Sequence, residues 1–263
     1  MKKPILLIIL LFSGLLTFAQ AAPENIGTQW KSYLHGEAGT LFLNTSITER
    51  LAIRQNVSSY YASQSSTGEI SSNTNAFTGG IRWEIKHPNQ KLGLSTGLRF
   101  TSVNTDITGQ TAQSADFFYL RYTSDGTDTK FARVRSISET GMFIGIPLEV
   151  RYRLFRVQNI FYYVMAGSEP ASFNIHNQTD IQFQDPSMEA YEDDVRAGFS
   201  STVKNYSSTL YWALGCSING KNSGGVTIEV MLPSLYLSKE NFQLIEINQF
   251  SGLRATIQLP LSK

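Results

Sequence analysis

The chain has 263 residues and a formal net charge of +1 at pH 7, and Asp, Glu, Lys and Arg make up only 16% of it. Soluble domains usually carry about 25% charged residues, and nucleic-acid-binding domains concentrate a surplus of Lys and Arg on one face. This composition therefore argues against a nucleic-acid partner. Its fraction of charged residues is also lower than that of a typical soluble domain.

The first 21 residues have the three parts of an export signal. Lys2 and Lys3 give a positive start, residues 5–16 form an apolar run, and the Ala-Gln-Ala sequence at 19–21 fits a cleavage site of the small-x-small type. A membrane-spanning helix needs roughly 20 apolar residues, and this run is shorter. We therefore predict a cleaved signal peptide at residues 1–21 and a single domain at residues 22–263.

After the leader, apolar residues recur at every second position, which predicts extended strands with two unlike faces. The clearest case is residues 140–156, TGMFIGIPLEVRYRLFR, where one face is aliphatic and the other carries Glu149, Arg151 and Arg153. A separate small hairpin is predicted at 116–138, turning at Asp-Gly. The long strands are predicted at residues 30–43, 76–86, 92–103, 140–156, 160–175, 209–218, 226–237 and 252–261.

The connections between these eight strands alternate in length. Residues 44–75, 104–115, 176–206 and 238–249 are interpreted as long loops, and residues 87–90, 155–159 and 219–225 as short turns. With both termini on one side, every short turn falls on that side, as in outer-membrane barrels. We predict an all-β fold, an eight-stranded antiparallel transmembrane β-barrel with long external loops and short periplasmic turns. A soluble periplasmic β-sandwich remains the alternative.

The polar faces of the predicted strands carry nine charged residues, five Arg and four Glu. The interior of an eight-stranded barrel is just wide enough for side chains to fill it, and unpaired charges there would be costly. The near balance predicts an interlocked network that plugs the lumen; the alternative is a charged constriction in a small passive channel. The predicted network consists of Glu37, Arg82, Glu84, Arg99, Glu149, Arg151, Arg153, Glu229 and Arg254.

Catalytic and metal-binding patterns are weak. The three histidines, His35, His87 and His176, are not spaced with Ser and an acid as a triad, and no G-x-S-x-G or H-E-x-x-H motif occurs. The acidic stretch at 185–194 lacks the regular spacing of a calcium loop and is interpreted as a solvated loop. Cys216 is the only cysteine, so no intrachain disulfide forms. We expect no enzyme activity, no cofactor and no metal site.

Two motifs resemble a known family. The pattern G-x-x-x-G-x-P-L-E-V-R-Y-R at 141–153 and the sequence G-L-R-F at 97–100, with a leader ending in F-A-Q-A, are similar to the PorT-like outer-membrane β-barrel proteins of Bacteroidota. The chain differs in its opening strand, LHGEAGTLFLN, and in ending without an aromatic residue. The resemblance implies an eight-stranded barrel in the outer membrane and no single activity, although some members serve secretion machinery.

Together these observations predict an exported protein of the cell outer membrane. Its expected role is that of a structural or interaction component, such as an accessory to secretion, with outer-membrane lipid and other envelope proteins as partners. A small passive channel is the first alternative. A lipid-modifying outer-membrane enzyme is a further alternative, with Ser acting together with His, Asp or Glu near the outer rim.

Overall fold

The structure is a computed structural model that describes residues 30–47, 53–54, 69–87, 91–110, 117–124, 128–197, 203–219, 224–238 and 240–261. The predicted signal peptide lies outside these residues, as does most of the predicted loop at 44–75. Among the residues described, no helix is both long enough and apolar enough to cross a membrane.

The described chain is almost entirely antiparallel β-sheet. A six-residue 3-10 helix (Pro186–Tyr191) and a short α-helix (Glu192–Ala197) follow the longest strand. The strands are β1 (Lys31–Ile47), β2 (Ile53–Arg54), β3 (Glu69–Lys86), β4 (Leu92–Gln110), β5 (Phe118–Ser124), β6 (Asp128–Gly145), β7 (Leu148–Val157), β8 (Ile160–Phe183), β9 (Tyr206–Asn219), β10 (Gly225–Tyr236) and β11 (Ile245–Pro260).

The sheet closes on itself as a ring of eight strand positions. Consecutive neighbours are β4, β3, β1, β11, β10, β9 and β8, and both β6 and β7 lie between β8 and β4. β6 and β7 follow one another along the same line between β8 and β4, and each pairs with both of them. They therefore count as one interrupted strand. The all-β class, the antiparallel pairing and the eight-stranded ring predicted from the sequence are confirmed.

The predicted strand at 140–156 is interrupted at Ile146 and Pro147. Proline has no N–H to donate to the ladder, so it interrupts pairing inside a sheet. On the facing strand β8, Pro170 lies in a bulge between Glu169 and Ser172. The two interruptions lie at one level of the wall, since Gly145 pairs with Ser172. A proline on each of two adjacent strands, Pro147 and Pro170, thus accompanies the break.

Several predicted loops are in fact strand, so those predictions were wrong in part. Strand β4 continues to Gln110, β6 begins at Asp128 and β8 runs to Phe183. The predicted 116–138 hairpin is β5 with the first part of β6, so it is continuous with the ring strand. These extensions project beyond the rest of the ring, where outward polar residues and inward apolar residues alternate, as at Asn104 and Ile107 of β4.

The two ends of the ring differ. The short connections after β3, β7 and β9 lie at one end, together with the start of β1 and the end of β11, and we call this the short-turn end. The long connections lie at the other, the long-loop end. Although β10 and β11 are joined there by only eight residues, that segment turns inward instead of outward.

The outer surface carries a continuous band of exposed apolar side chains, which we call the apolar belt. Leu98, Ile81 and Ile257 are each about 60% exposed on neighbouring parts of it. Along β4 the belt occupies the nine residues 92–100, and beyond it the outward positions become polar, at Asn104 and Asp106. The outward face of β4 thus changes from apolar to polar toward the long-loop end.

Candidate functional site

The interior of the ring at the level of the belt is filled by charged side chains. Five carboxylates and five cations are buried there, and we call this set the charged core. Their side chains point inward because each occupies an inward position of the strand alternation. The charged core consists of Glu37, Glu84, Glu149, Glu169, Glu229, Arg82, Arg99, Arg151, Arg254 and Lys86.

Glu149, on β7, is the centre of the charged core. Its Oε1 accepts hydrogen bonds from Arg99 Nη2 and Arg254 Nη1, both at 2.7 Å, and from the Tyr211 hydroxyl at 2.8 Å. Its Oε2 accepts from Arg82 Nη1. Three guanidinium groups from three different strands therefore converge on one carboxylate that is 3% exposed.

A second carboxylate, Glu229 on β10, joins the other side of the network. It accepts hydrogen bonds from Arg254 Nε and, at 2.8 Å, from Arg151 Nη2. The Tyr163 hydroxyl donates to Glu229 Oε1 at 2.6 Å, the oxygen that also accepts from Arg151. Arg151 also reaches Glu84, at 3.2 Å from Nη1 to Oε1. Because Arg254 contacts both Glu149 and Glu229, the two halves form one connected network.

Eight of the nine network residues predicted from the sequence are buried together in this core. The ninth, Arg153, is only partly buried and lies at the short-turn end, where its guanidinium stacks on the Phe161 ring with Cζ 3.8 Å from the ring centroid. The alternation along 140–156 predicted its inward direction. It did not predict that the strand passes out of the filled region between Arg151 and Arg153.

Several members of the network were not predicted from the sequence, and Tyr163 is one of them. Lys86 Nζ lies 3.2 Å from Glu84 Oε2, and His35 Nε2 lies 2.8 Å from the same oxygen. Glu169 lies 3.4 Å from Arg99 Nη1, and the Tyr211 hydroxyl accepts from that nitrogen. Lys86 follows Arg82 and Glu84 in the same register, so alternation alone could have found it.

Above the charged core, toward the long-loop end, the interior is apolar. Residues 240–244 fold into the mouth of the ring, and Phe242 packs edge-on against Phe143 with ring centroids 5.4 Å apart. We call this layer the apolar cap. Its buried members are Ala76, Val103, Ile107, Phe118, Leu120, Tyr122, Ala132, Val134, Ile137, Phe143, Val195, Phe242, Leu244, Ile245 and Ile247.

One buried carboxylate, Glu139 on β6, holds the inward segment in place. Its oxygens accept hydrogen bonds from the backbone N–H groups of Gln243 at 2.8 Å and Leu244 at 2.9 Å. Asn177 Nδ2 donates to it at 3.2 Å. Burial raises the pKa of Glu139 above its ordinary value, although the three donors pull in the opposite direction. Glu139 lies beyond the belt, paired with Thr105 and Thr179.

A small cavity separates the charged core from the cap. Its volume is about 50 Å³, and Arg99, Glu169 and Arg254 line its lower side while Phe143 and Phe250 line its upper side. That volume has room for a few water molecules and is far below the roughly 300 Å³ of a typical small-molecule site. This cavity, as the described residues form it, is therefore too small for a typical small-molecule ligand.

Different parts of the fold hold the histidines and the cysteine considered above. The arginines and carboxylates of the core are occupied with one another, and within the described ranges no group of three or more His, Cys, Asp or Glu side chains is placed to hold a metal ion. Cys216 is partly buried in the outward register of β9 between Leu214 and Ile218. His176, predicted to open a loop, is instead an exposed residue within β8.

Fold and interior together define a class: a closed eight-stranded antiparallel ring with a filled centre and an apolar outer belt. No known protein family matches the sequence, and no curated protein matches it. The structure is similar to that of the transport unit of the autotransporter AIDA-I from Escherichia coli, at 9% identity and a TM-score of 0.25, covering 96% of this chain and 97% of that one. A TM-score this low carries no argument about fold or function.

Proposed function

We propose that the chain is an outer-membrane β-barrel protein whose lumen is plugged, and that it acts as a structural or interaction component of the cell envelope. The observation that carries this proposal is the apolar belt around a charged interior. In water, large contiguous apolar patches of this kind are rare on monomeric proteins. In a bilayer the same surface is solvated by lipid tails, and the polar groups lie inside.

The height of the belt supports the membrane assignment. A transmembrane β-strand needs about 9–11 residues when tilted, and the belt covers the nine residues 92–100 of β4. Closure of the ring supports it as well, since a closed sheet leaves no unpaired backbone edge for lipid to meet. The predicted export signal at residues 1–21 would direct the chain to the envelope.

The filled interior supports an interaction role over transport. A solute would have to pass both the charged core, where Glu149 alone binds three arginines, and the apolar cap. Opening such a path requires unpaired charges in a confined space, which is costly. The strand extensions of β4, β6 and β8 at the long-loop end offer a folded surface for a partner. A secretion-accessory role and membership of the PorT-like family stay predictions.

Two variants of one strand test the membrane assignment. Leu98→Arg places a charge in the middle of the belt, and Asn104→Arg places the same charge on the same outward face beyond it. An arginine facing lipid at the bilayer midplane costs about 2–4 kcal/mol, and one near the interface costs far less. We expect the L98R protein to fold poorly into lipid vesicles and the N104R protein to fold as the wild type does. Equal folding of both variants in vesicles would contradict the proposal.

Single-channel recording tests the plug. Wild-type protein folded into planar bilayers is expected to show no stable conductance. A steady, reproducible conductance would favour the small passive channel instead. Recovery of the tagged wild-type protein from washed outer membranes, with any stoichiometric partner, tests the location and the interaction role together.

A further inference from the structure

The outer wall beyond the apolar belt carries a regular block of polar side chains. Four neighbouring strands, β3, β4, β6 and β8, continue past the belt there, and their outward residues pair in three successive rows. We call this block the polar array. Its rows, each taken from β3 to β8, are Asn75, Asn104, Thr140 and Gln178; Asn73, Asp106, Ser138 and Asp180; and Ser71, Thr108, Ser136 and Gln182.

The polar array faces solvent and rests on a packed support. Eight of its twelve side chains are exposed and the other four are half-buried. On the opposite face of the same strands, Val103, Ile107 and Ile137 are buried in the apolar cap. A polar surface held on packed strands loses little conformational freedom when it binds a partner, and this favours affinity.

The side chains of the array match the hydrogen-bonding chemistry of a hydroxyl-rich partner. Ten of the twelve are hydroxyls or amides, and each of these both donates and accepts hydrogen bonds, as a sugar hydroxyl does. Ser71 Oγ lies 3.0 Å from Thr108 Oγ1 in the third row, and Gln178 Nε2 donates to Asp180 Oδ1 at 3.1 Å along β8. Two hydroxyls on adjacent carbons of a sugar ring are also a hydrogen-bond distance apart, so such pairs of groups can bind both.

The charge of the array argues against other partners. Its charged members are Asp106 and Asp180, both in the middle row, and the nearest cations on β6, Arg133 and Arg135, lie beyond the third row. Nucleic acids, acidic polysaccharides and phospholipid headgroups are recognised mainly through cations. Protein interfaces are centred on aromatic, Met or Arg anchors, and the array contains none. An uncharged polymer that carries many hydroxyl groups therefore fits it best.

We propose that the polar array binds an uncharged polysaccharide. Neighbouring strands lie roughly 4.8 Å apart, which is close to the length of one sugar unit, so a polysaccharide laid along a row meets a polar side chain at about every unit. The inference goes beyond the proposed function and does not rest on it. The array lies outside the belt, and its residues are exposed whether or not lipid surrounds the belt.

The experiment measures binding of the full chain, folded in micelles of a detergent without a sugar headgroup, to immobilised polysaccharides. The uncharged ones are dextran, mannan and xylan, and the acidic one is alginate. The variants are Asn73→Ala, Asn104→Ala and the double variant, all at exposed positions of the array. The matched control is Asn44→Ala, an exposed asparagine on the outer face of β1, outside the array. Loss of one neutral hydrogen bond lowers affinity about fivefold, so each single variant is expected to bind about fivefold more weakly and the double variant more weakly still.

The proposal is supported if wild-type and N44A protein bind at least one uncharged polysaccharide equally well, with about fivefold losses in N73A and N104A. Binding should be the same at low and high salt, because salt screens only interactions between charges. Failure to bind all three uncharged polysaccharides, or equal binding by wild type and the double variant, overturns the proposal. Binding to alginate alone, or binding that high salt abolishes, overturns it as well, since the array would then recognise charge. Equal β-sheet circular dichroism shows that every variant is folded.

Discussion

The charged core and the apolar cap both close the ring, but they are built from different parts of the chain and held by different forces. The core belongs to the ring strands themselves, and its contacts are ion pairs such as those of Glu149 with Arg99 and Arg254. The cap is built from the long-loop ends of ring strands, the β5–β6 hairpin and the inward segment 240–244, and its contacts are mainly apolar. One interior therefore holds two closures of different kinds.

The two closures should respond differently to damage. A buried ion pair adds little net stability over an apolar pair of the same shape, but removal of one partner leaves the other charge buried and uncompensated. Removal of an apolar side chain costs only the transfer free energy of its atoms and the free energy of the cavity that it leaves. The core is therefore expected to fail as a unit, and the cap to loosen locally while the ring remains intact.

The largest effect is expected from Glu149→Gln. Arg82, Arg99 and Arg254 all bind this carboxylate, so its neutralisation leaves three buried guanidinium groups with too few anions. Breaking a buried ionic network by removing one partner costs about 3–5 kcal/mol. We expect the free energy of unfolding in urea, measured in lipid vesicles, to fall by about that amount.

The matched control for E149Q is Glu192→Gln. Glu192 also binds an arginine, Arg196, but in a pair that is 35–40% exposed. Exposed pairs are worth about 0–1 kcal/mol, so E192Q is expected to change stability very little. If E149Q and E192Q were equally mild, the convergence on Glu149 would not be what holds the core, and the distinction between the two closures would fail.

The next effect is expected from Phe242→Ala in the cap. Truncation of a buried Phe costs about 3–5 kcal/mol in a rigid core, and a loop segment can partly collapse into the space, so a loss of about 2–3 kcal/mol is expected. It should appear as faster proteolysis of the 237–244 segment. The urea midpoint of the ring strands should move much less than in E149Q.

Phe131→Ala is the control for the cap variant. Phe131 lies on β6 at the same end but is 45% exposed, so its truncation leaves no closed cavity and should not change proteolysis. Loss of the whole ring in F242A, seen as a single transition of the strands together with the segment, would show that the cap and the core are one cooperative unit.

A glycine supplies a smaller test of how tightly the core is packed. A Cβ at Gly145 would lie 1.8 Å from Glu169 Oε1, whereas a Cβ at Gly36 would meet nothing within 4 Å. Overpacking a filled interior costs about 1–3 kcal/mol. We expect Gly145→Ala to lower the free energy of unfolding by that amount and Gly36→Ala to leave it nearly unchanged. A neutral G145A would mean that Glu169 can leave the core without loss.

The sequence predicted the core better than the cap, and the reason is physical. Strand alternation has a fixed period of two residues, so it assigns Arg82, Arg99 and Arg254 to the inner face without knowledge of their partners. The even number of strands and the order of their connections then predict closure. What alternation cannot give is pairing, so the convergence of three arginines on Glu149 appears only in three dimensions.

The cap was not predicted from the sequence, because its residues are far apart in the chain and because the strand segments that carry them have a polar outward face. Residues 104–115 and 176–206 are rich in polar residues, so they were interpreted as loops, yet Ile107 and Ile181 alternate inward on long strands. The irregularity between Glu169 and Ser172 has a local signal in Pro170, but its effect on the pairing of β8 with β9 appears only in the structure. Tertiary context decides such segments, not composition.

The smallest effect concerns pH at the cap. Burial raises the pKa of the Glu139 carboxyl above its ordinary value of 4.5. The folded state then holds the proton more tightly than the unfolded chain, so the contribution of Glu139 to stability is fully present below pH 4.5 and is lost as the pH rises through the folded pKa. Protection of the Gln243 and Leu244 amides, corrected for intrinsic exchange, should therefore be greater near pH 4.5 than at pH 8. Glu139→Gln should remove that difference, because the amide does not titrate. Protection that rises with pH in the wild type would instead mean that the two backbone donors outweigh burial, and the cap would then be held by a charge, as the core is.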